Sequence, residues 1–284
     1  MGRGLSRLDE RLRRLFPDAS RTSIKHWLEA GRVTVNGDVV RRGDTAVSDV
    51  DRVMLGAPPP PPFPRELRRI HEDDDILVVD KPPGLLTIAT EHERERTAYR
   101  MLADWLAAQP VRGPHRPRLF VVHRIDRETS GLLVFAKHAT AKNELQEQFK
   151  FRRVERVYVA VVEGNVREDE GTLTGRLRED ASLRVRPARD PRDPRAKEAI
   201  TRFRVIERRG DRTVLELSLE TGRRGQIRAQ LAALGHPIIG DVAYGSRQNP
   251  IRRVCLHATR LAFVHPRGRR VSYESLPPSV FRRV

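Results

Sequence analysis

Leu119-Phe-Val-Val-His-Arg-Ile-Asp-Arg-Glu-Thr-Ser-Gly-Leu-Leu-Val-Phe-Ala-Lys137 sets two short apolar runs on either side of a dense polar loop. Leu119 to Val122 and Leu132 to Ala136 are apolar at every position rather than at alternate ones. That pattern predicts strands buried on both faces. The loop between them, His123 to Gly131, carries Asp126 together with two guanidinium groups, an imidazole and two hydroxyls. Buried strands form a rigid floor, and polar loops anchored on such floors are where chemistry tends to sit. On residue type alone a plain connection stays open, because Asp, Thr, Ser and Gly all favour turns.

Outward from this stretch, composition sets the class. The 284 residues suffice for one large domain with a smaller one attached. A hydrophobic content of 38% and a charged content of 33% suit a soluble globular chain. The N-terminus lacks the apolar core of a secretion signal and no apolar run approaches ~18 residues, so a cytoplasmic location and no membrane are expected. Cys255 is the lone cysteine, which excludes an internal disulfide and a multi-cysteine zinc site. The nine His residues fall into no ligand spacing, so no metal is expected. The net charge of +17 points to a polyanionic partner, and for a cytoplasmic protein that means nucleic acid.

Residues 1–57 read as a separate module. Leu5, Leu8, Leu12 and Leu15 recur at helical spacing, and Ser20 can cap a second helix carrying Ile24, Trp27 and Leu28 that Gly31 ends. Asn36-Gly37 between β-branched residues predicts a hairpin. Arg7-Leu8-Asp9, Ser20-Arg21 and Gly31-Arg32-Val33-Thr34-Val35-Asn36-Gly37 resemble the RNA-binding domain named after small-subunit ribosomal protein S-four. The resemblance makes Arg21, Lys25 and Arg32 candidate RNA contacts. The family's usual Gly-Asp turn is here Ser48-Asp49-Val50-Asp51, which weakens the case for the module's last strand. Residues 58–65 form a proline-rich linker of polyproline II character.

A larger domain follows over residues 66–284. Ile76 to Val79 reads as a buried strand before the tight turn Asp80-Lys-Pro-Pro-Gly-Leu85. Residues 97 to 108 and 139 to 149 are amphipathic helices, and Arg153 to Gly164 alternates as a strand. Residues 165 to 200, rich in Arg, Asp and Pro, suggest a hairpin plus a long exposed loop. Strands resume at 199 to 206 and 213 to 219, and Gln226 to Leu234 is a short helix closed by Gly235.

Four ordered segments in this domain resemble the RluA-type pseudouridine synthases. His123-Arg-Ile-Asp-Arg-Glu-Thr-Ser-Gly131 is similar to that family's H-R-L-D-x-x-T-S-G, with Ile125 for Leu. Lys81-Pro-Pro-Gly-Leu85, Tyr158 in its basic-x-Tyr-x-Ala setting, and Thr221-Gly-Arg-Arg-Gly-Gln-Ile-Arg228 with Gly240-Asp-Val-Ala-Tyr-Gly245 follow the same pattern. Gly225 stands in place of a usual His, and Gln230 where a second His is frequent. The resemblance implies an α+β fold with a mixed, mainly antiparallel sheet, flanking helices and an RNA cleft. It implies Asp126 as the catalytic carboxylate, Arg228 as its ion-pair partner, Tyr158 as a face to stack on uracil, and Arg124 as the side chain that fills the space of a flipped base. No cofactor is implied. The expected partner is RNA, either ribosomal RNA or ribosomal precursor particles, and the expected state is a monomer. A non-catalytic RNA-binding assembly factor on the same fold, or a transfer-RNA-directed synthase, is the alternative.

Overall fold

The computed structural model describes residues 4–57, 60–110, 118–180, 184–190 and 192–284. It divides into two compact units, Met1–Pro61 and Pro62–Val284. Of the expected proline linker, residues 58 and 59 lie outside the described residues. Phe63, also within that stretch, belongs to the second unit's core: its ring meets Trp105 edge-on at 5.0 Å.

The first unit runs β1 (Leu5–Arg7), α1 (Leu8–Leu15), α2 (Arg21–Glu29), β2 (Val33–Val35), β3 (Asp38–Val39), β4 (Ala46–Ser48) and β5 (Val53–Leu55). Leu8 and Leu12, one helical turn apart, pack with Ile24, Leu28, Val33 and Val47 into its core. The leucine stripe is narrower than its spacing suggested. Leu5 lies in β1, paired with Ser48, and is 71% exposed. Ser20 caps α2 by accepting from the Ser23 amide at 3.0 Å, and Gly31 ends it at φ +67°. Asn36 and Gly37, both at positive φ, turn β2 into β3. The last strand does form: Asp51 accepts from the Ser48 amide at 2.6 Å and from Asn36 Nδ2 at 2.8 Å, leading into β5.

The second unit is built on an eleven-stranded sheet. In chain order it contains β6 (Arg68–Glu72), β7 (Ile76–Lys81), α3 (Ala98–Ala107), β8 (Phe120–Val121), β9 (Ser130–Ala136), α4 (Ala139–Lys150), β10 (Glu155–Glu163), β11 (Glu170–Glu179), β12 (Val185–Pro187), β13 (Lys197–Arg209), β14 (Arg212–Leu219), α5 (Gln226–Ala233), β15 (Leu256–Val264) and β16 (Arg270–Glu274). The path across the sheet is β12-β11-β13-β14-β10-β15-β9-β7-β6, with β16 on β15 and β8 on β9. Neighbours are antiparallel except β15 and β9, which run parallel through His257↔Ser130 and Ala258↔Gly131.

The unbroken apolar run of β9 is explained by cores on both faces. Leu77, Val79, Leu133 and Phe135 face α3, with Leu102, Trp105 and Leu106, in one cluster. Ile76, Val78, Leu132 and Val134 face α4, with Ala141 and Leu145, in the other. Residues 165 to 200 are more ordered than expected. β11 is a ten-residue strand paired along β13 and β12 is a short outer strand, while residues 181–183 and 191 lie outside the described residues. Among the described residues, no helix is long and apolar enough to cross a membrane.

Candidate active site

The polar loop leaves β8 and enters β9, and its backbone is fastened from below. Lys81, fully buried at the end of β7, donates from Nζ to the carbonyls of Pro82 (2.8 Å), Leu85 (2.7 Å) and Arg127 (3.3 Å). Burial pulls its pKa down to about 7 against the pull of Glu128 and Asp126. Thr87 donates its hydroxyl to the Ile125 carbonyl at 2.8 Å, and the Gly84 amide donates to the Arg127 carbonyl at 2.7 Å. At the far end Gly131, at φ +114°, lies so close to β15 that a Cβ there would meet the Ala258 carbonyl oxygen at 2.3 Å. Only glycine fits that contact. Ser130 Oγ meets His257 Nδ1 at 2.8 Å across the same junction.

Held this way, Asp126 stands at the wall of a cleft of about 510 Å³ lined also by His123, Arg124, Arg156, Tyr158 and Arg228. The structure therefore brings together Asp126, Tyr158, Arg228 and Arg124. Burial pushes the Asp126 carboxyl above the usual carboxylate range, opposed by Arg228 and the Gly225 amide. That amide, at the N-terminus of α5, donates to Asp126 Oδ1 at 3.4 Å. Tyr158 is almost completely buried, and its phenol is pushed up to about 12. It is a neutral hydroxyl at ordinary pH, able to donate a hydrogen bond and to offer its ring face. His123 accepts from the Val134 amide at 3.2 Å and stacks on Phe149 at 4.6 Å. Burial pulls its pKa down to about 3, keeping the ring neutral.

Arg228 does approach Asp126, with Nη1 at 3.7 Å from Oδ2, but this is its loosest ion pair. Nε and Nη2 form a two-point clamp on Asp241 at 2.7 and 2.8 Å, and Nη1 donates to Glu128 at 2.7 Å. The guanidinium also lies over the Tyr244 ring at 4.9 Å. Burial works against its charge, yet Asp241 and the two other carboxylates raise its pKa above the ordinary value. Asp241 and Glu128 were missed as site residues by sequence reading. The only signal for Asp241 was its place in the Gly240-Asp-Val-Ala-Tyr-Gly245 segment.

The two departures from the family pattern have different consequences. Gly225 takes φ +57°, and a Cβ there would meet Tyr244 Oη at 2.7 Å. Tyr244 thus occupies space that a side chain at 225 would enter. Gln230 points away from the cleft as an internal staple, accepting from Thr201 Oγ1 at 2.6 Å and donating to the carbonyls of Leu173 and Ala199.

The chain matches the family model for RNA pseudouridylate synthase over residues 75–233. The chain belongs to the pseudouridine synthases. A second model, the S4 domain, matches residues 6–53. An uncharacterized RNA pseudouridine synthase of Bacillus subtilis (strain 168) is 36% identical to this synthase, over 96% of the chain and 90% of the relative. Ribosomal large subunit pseudouridine synthase D of Haemophilus ducreyi is 34% identical over 92% of the chain and 83% of the relative. Among solved structures, human RNA pseudouridylate synthase domain containing 1 aligns with a TM-score of 0.62 at 25% identity, covering 77% of this synthase and 86% of that chain.

Of the residues read as RNA contacts in the S4 domain, Arg21 has no ion-pair partner among the described residues and Lys25 faces Glu29 at 3.8 Å. Arg32 is tied into the fold, donating to the Gly56 carbonyl at 3.0 Å and lying over Trp27 at 5.6 Å. Away from the cleft, Asp73, Asp75 and His265 bring potential ligand atoms within 4.8 Å of one another. Asp73 is already bonded to His71 and His265, and Asp75 to His138 and Arg267. The group reads as a lock between β6, β7 and β15.

Proposed function

We propose that this synthase isomerises uridines in structured large-subunit ribosomal RNA, with Asp126 acting at the anomeric carbon of a base-flipped nucleotide. The observation that carries the reading is a half-buried carboxylate in a basic cleft, beside a guanidinium fixed by Asp241 and lined also by a neutral tyrosine. The ribosomal substrate is supported by relatives such as the Haemophilus ducreyi enzyme, whose name specifies the large ribosomal subunit.

The reaction breaks the bond from C1′ to N1, turns the base and forms a bond from C1′ to C5; the C5 proton leaves and N1 ends protonated. Atoms balance without water. Asp126 serves either as nucleophile at C1′ or as base toward the sugar. A hydrolase of glycosides would need a second carboxyl group poised to protonate a leaving group or activate water. Glu128 and Asp241 do not fill that place, because both are engaged by Arg228. Tyr158 stacks on uracil, and its raised pKa keeps the phenol neutral, able to donate a hydrogen bond. A uridine must leave its helix to reach Asp126, and Arg124, exposed at the cleft, is suited to fill the vacated position.

Pseudouridine mapping of total RNA from cells with and without the gene tests the reading. Sites in large-subunit rRNA should vanish on deletion and return with the wild-type gene, but not with Asp126→Ala. An unchanged map would overturn it.

A further inference from the structure

Arg156 lies on β10 two residues before Tyr158 and lines the same cleft. It combines two absences. Among the described residues no carboxylate lies within ion-pair distance of it, and its Nε is enclosed with no hydrogen-bond partner. Nη2 reaches only the carbonyls of Leu219 and Glu220, at 3.3 and 3.4 Å, both at the long end for such bonds. The guanidinium lies over Phe149 at 5.6 Å. Room for it is made by Gly222, where a Cβ would stand 2.4 Å from Nη1.

A guanidinium withdrawn from water without a counter-charge is destabilising, and folded proteins pair such groups. Here the fold holds a half-buried one, its Nε fully enclosed, against an aromatic ring, beside a glycine that leaves it space, with most of its five donors unfilled by the protein. Arg228, in the same cleft, shows that this chain can supply carboxylates to a buried arginine when it needs them. The missing acceptor therefore comes from outside. Resting on the synthase reading above, we infer that Arg156 receives a phosphodiester flanking the target uridine and so anchors the flipped nucleotide beside Tyr158. A uracil carbonyl could accept hydrogen bonds but would leave the charge uncompensated; a phosphate does both, and matches the guanidinium fork.

The test is competition against a fluorescent nonauridylate by uridine and by uridine 3′,5′-bisphosphate, on full-length wild-type and Arg156→Met protein. The bisphosphate should outcompete uridine about tenfold or more on the wild type, the scale of a hydrogen bond to a charged group. Arg156→Met should bring the two competitors close to equality. It should also lower the slope of log affinity against log salt for nonauridylate by about 0.7, one single-strand phosphate. The melting temperature should hold or rise, because an uncompensated half-buried charge has gone. Gly222→Ala, which pushes on Nη1, should narrow the preference for bisphosphate with Arg156 still present. An unchanged preference in Arg156→Met would overturn the inference, as would a lower melting temperature with equal loss of both competitors. The binding readout does not depend on turnover. If the wild type made no pseudouridine the synthase reading would fail while this preference could still respond, and an active enzyme with an unresponsive preference would fail the inference alone.

Discussion

Two of the guanidinium groups that line one cleft stand under opposite conditions. Arg228 is clamped by Asp241, shared with Glu128 and leans toward Asp126. Arg156, next to the same Tyr158, has a phenylalanine ring and two distant carbonyls. The first is saturated by the protein, as suits the proposed role of aiming a carboxylate and balancing its charge. The second is left incomplete, the condition expected of a group whose partner arrives with the substrate. Side chains of one type can thus be sorted by asking which of their donors the fold has already filled.

The sharpest way to break the comparison is at the carboxylate that Arg228 serves. Asp126→Ala should lower pseudouridine formation by at least ~10⁴-fold, the scale set by losing the carboxylate proposed to act at the anomeric carbon. The fold should survive, because Arg228 keeps Asp241 and Glu128. Asp126→Asn should raise thermal stability at neutral pH. The native carboxyl titrates above its unfolded value, so ionisation destabilises the fold as pH rises through the native pKa. The gain should therefore vanish below the ordinary carboxylate range. Melting curves across pH check the sign, and a lower melting point for Asp126→Asn at pH 7 would contradict it.

Asp241→Asn comes next. It removes a charged partner from a buried clamp, a change that typically destabilises by about 3–5 kcal/mol. Denaturant unfolding should show a loss of that order, and kcat should fall by about 10²-fold as Arg228 loses its aim. Equal stability of wild type and Asp241→Asn would mean that the two arginines are not so different.

Glu128→Gln should act more gently. Activity needs Asp126 ionised, and Glu128 adds a like charge that raises the Asp126 pKa. Its removal also frees Nη1 to turn toward Asp126. The acid limb of the kcat profile should move to lower pH, with little change near neutrality; an unmoved limb would sever Glu128 from the site. The smallest effect is expected in the S4 domain. Arg21→Ala and Lys25→Ala should each reduce the salt slope of RNA binding by about 0.7–0.9 if they meet phosphate, and leave kcat untouched.

Much of this was legible along the chain because strong local rules apply. The unbroken apolar run from Leu132 to Ala136 demanded two covered faces, and α3 and α4 cover them. Asn36-Gly37 and Gly31 marked a turn and a helix end whose φ values few other residues tolerate. Where the reading slipped, competition between distant groups decided. Leu5 matched a helical stripe, yet its backbone pairs with β4. The segment from 165 to 200 read as a hairpin with a long exposed loop, but β11 runs for ten residues and pairs with β13 through its main chain, to which side-chain polarity is indifferent.

The sequence by itself determined the family, the location of the reactive loop and the candidates at 126, 158 and 228, because these depend on residue types at close spacing. It could not rank the partners of Arg228 or separate Arg156 from the other arginines. Those distinctions rest on distances between side chains from 13 to about a hundred residues apart and on which donors are shut away from water. Only the tertiary fold sets such distances, since Coulomb attraction and the penalty for losing water both depend on where a group comes to rest, not on its place along the chain.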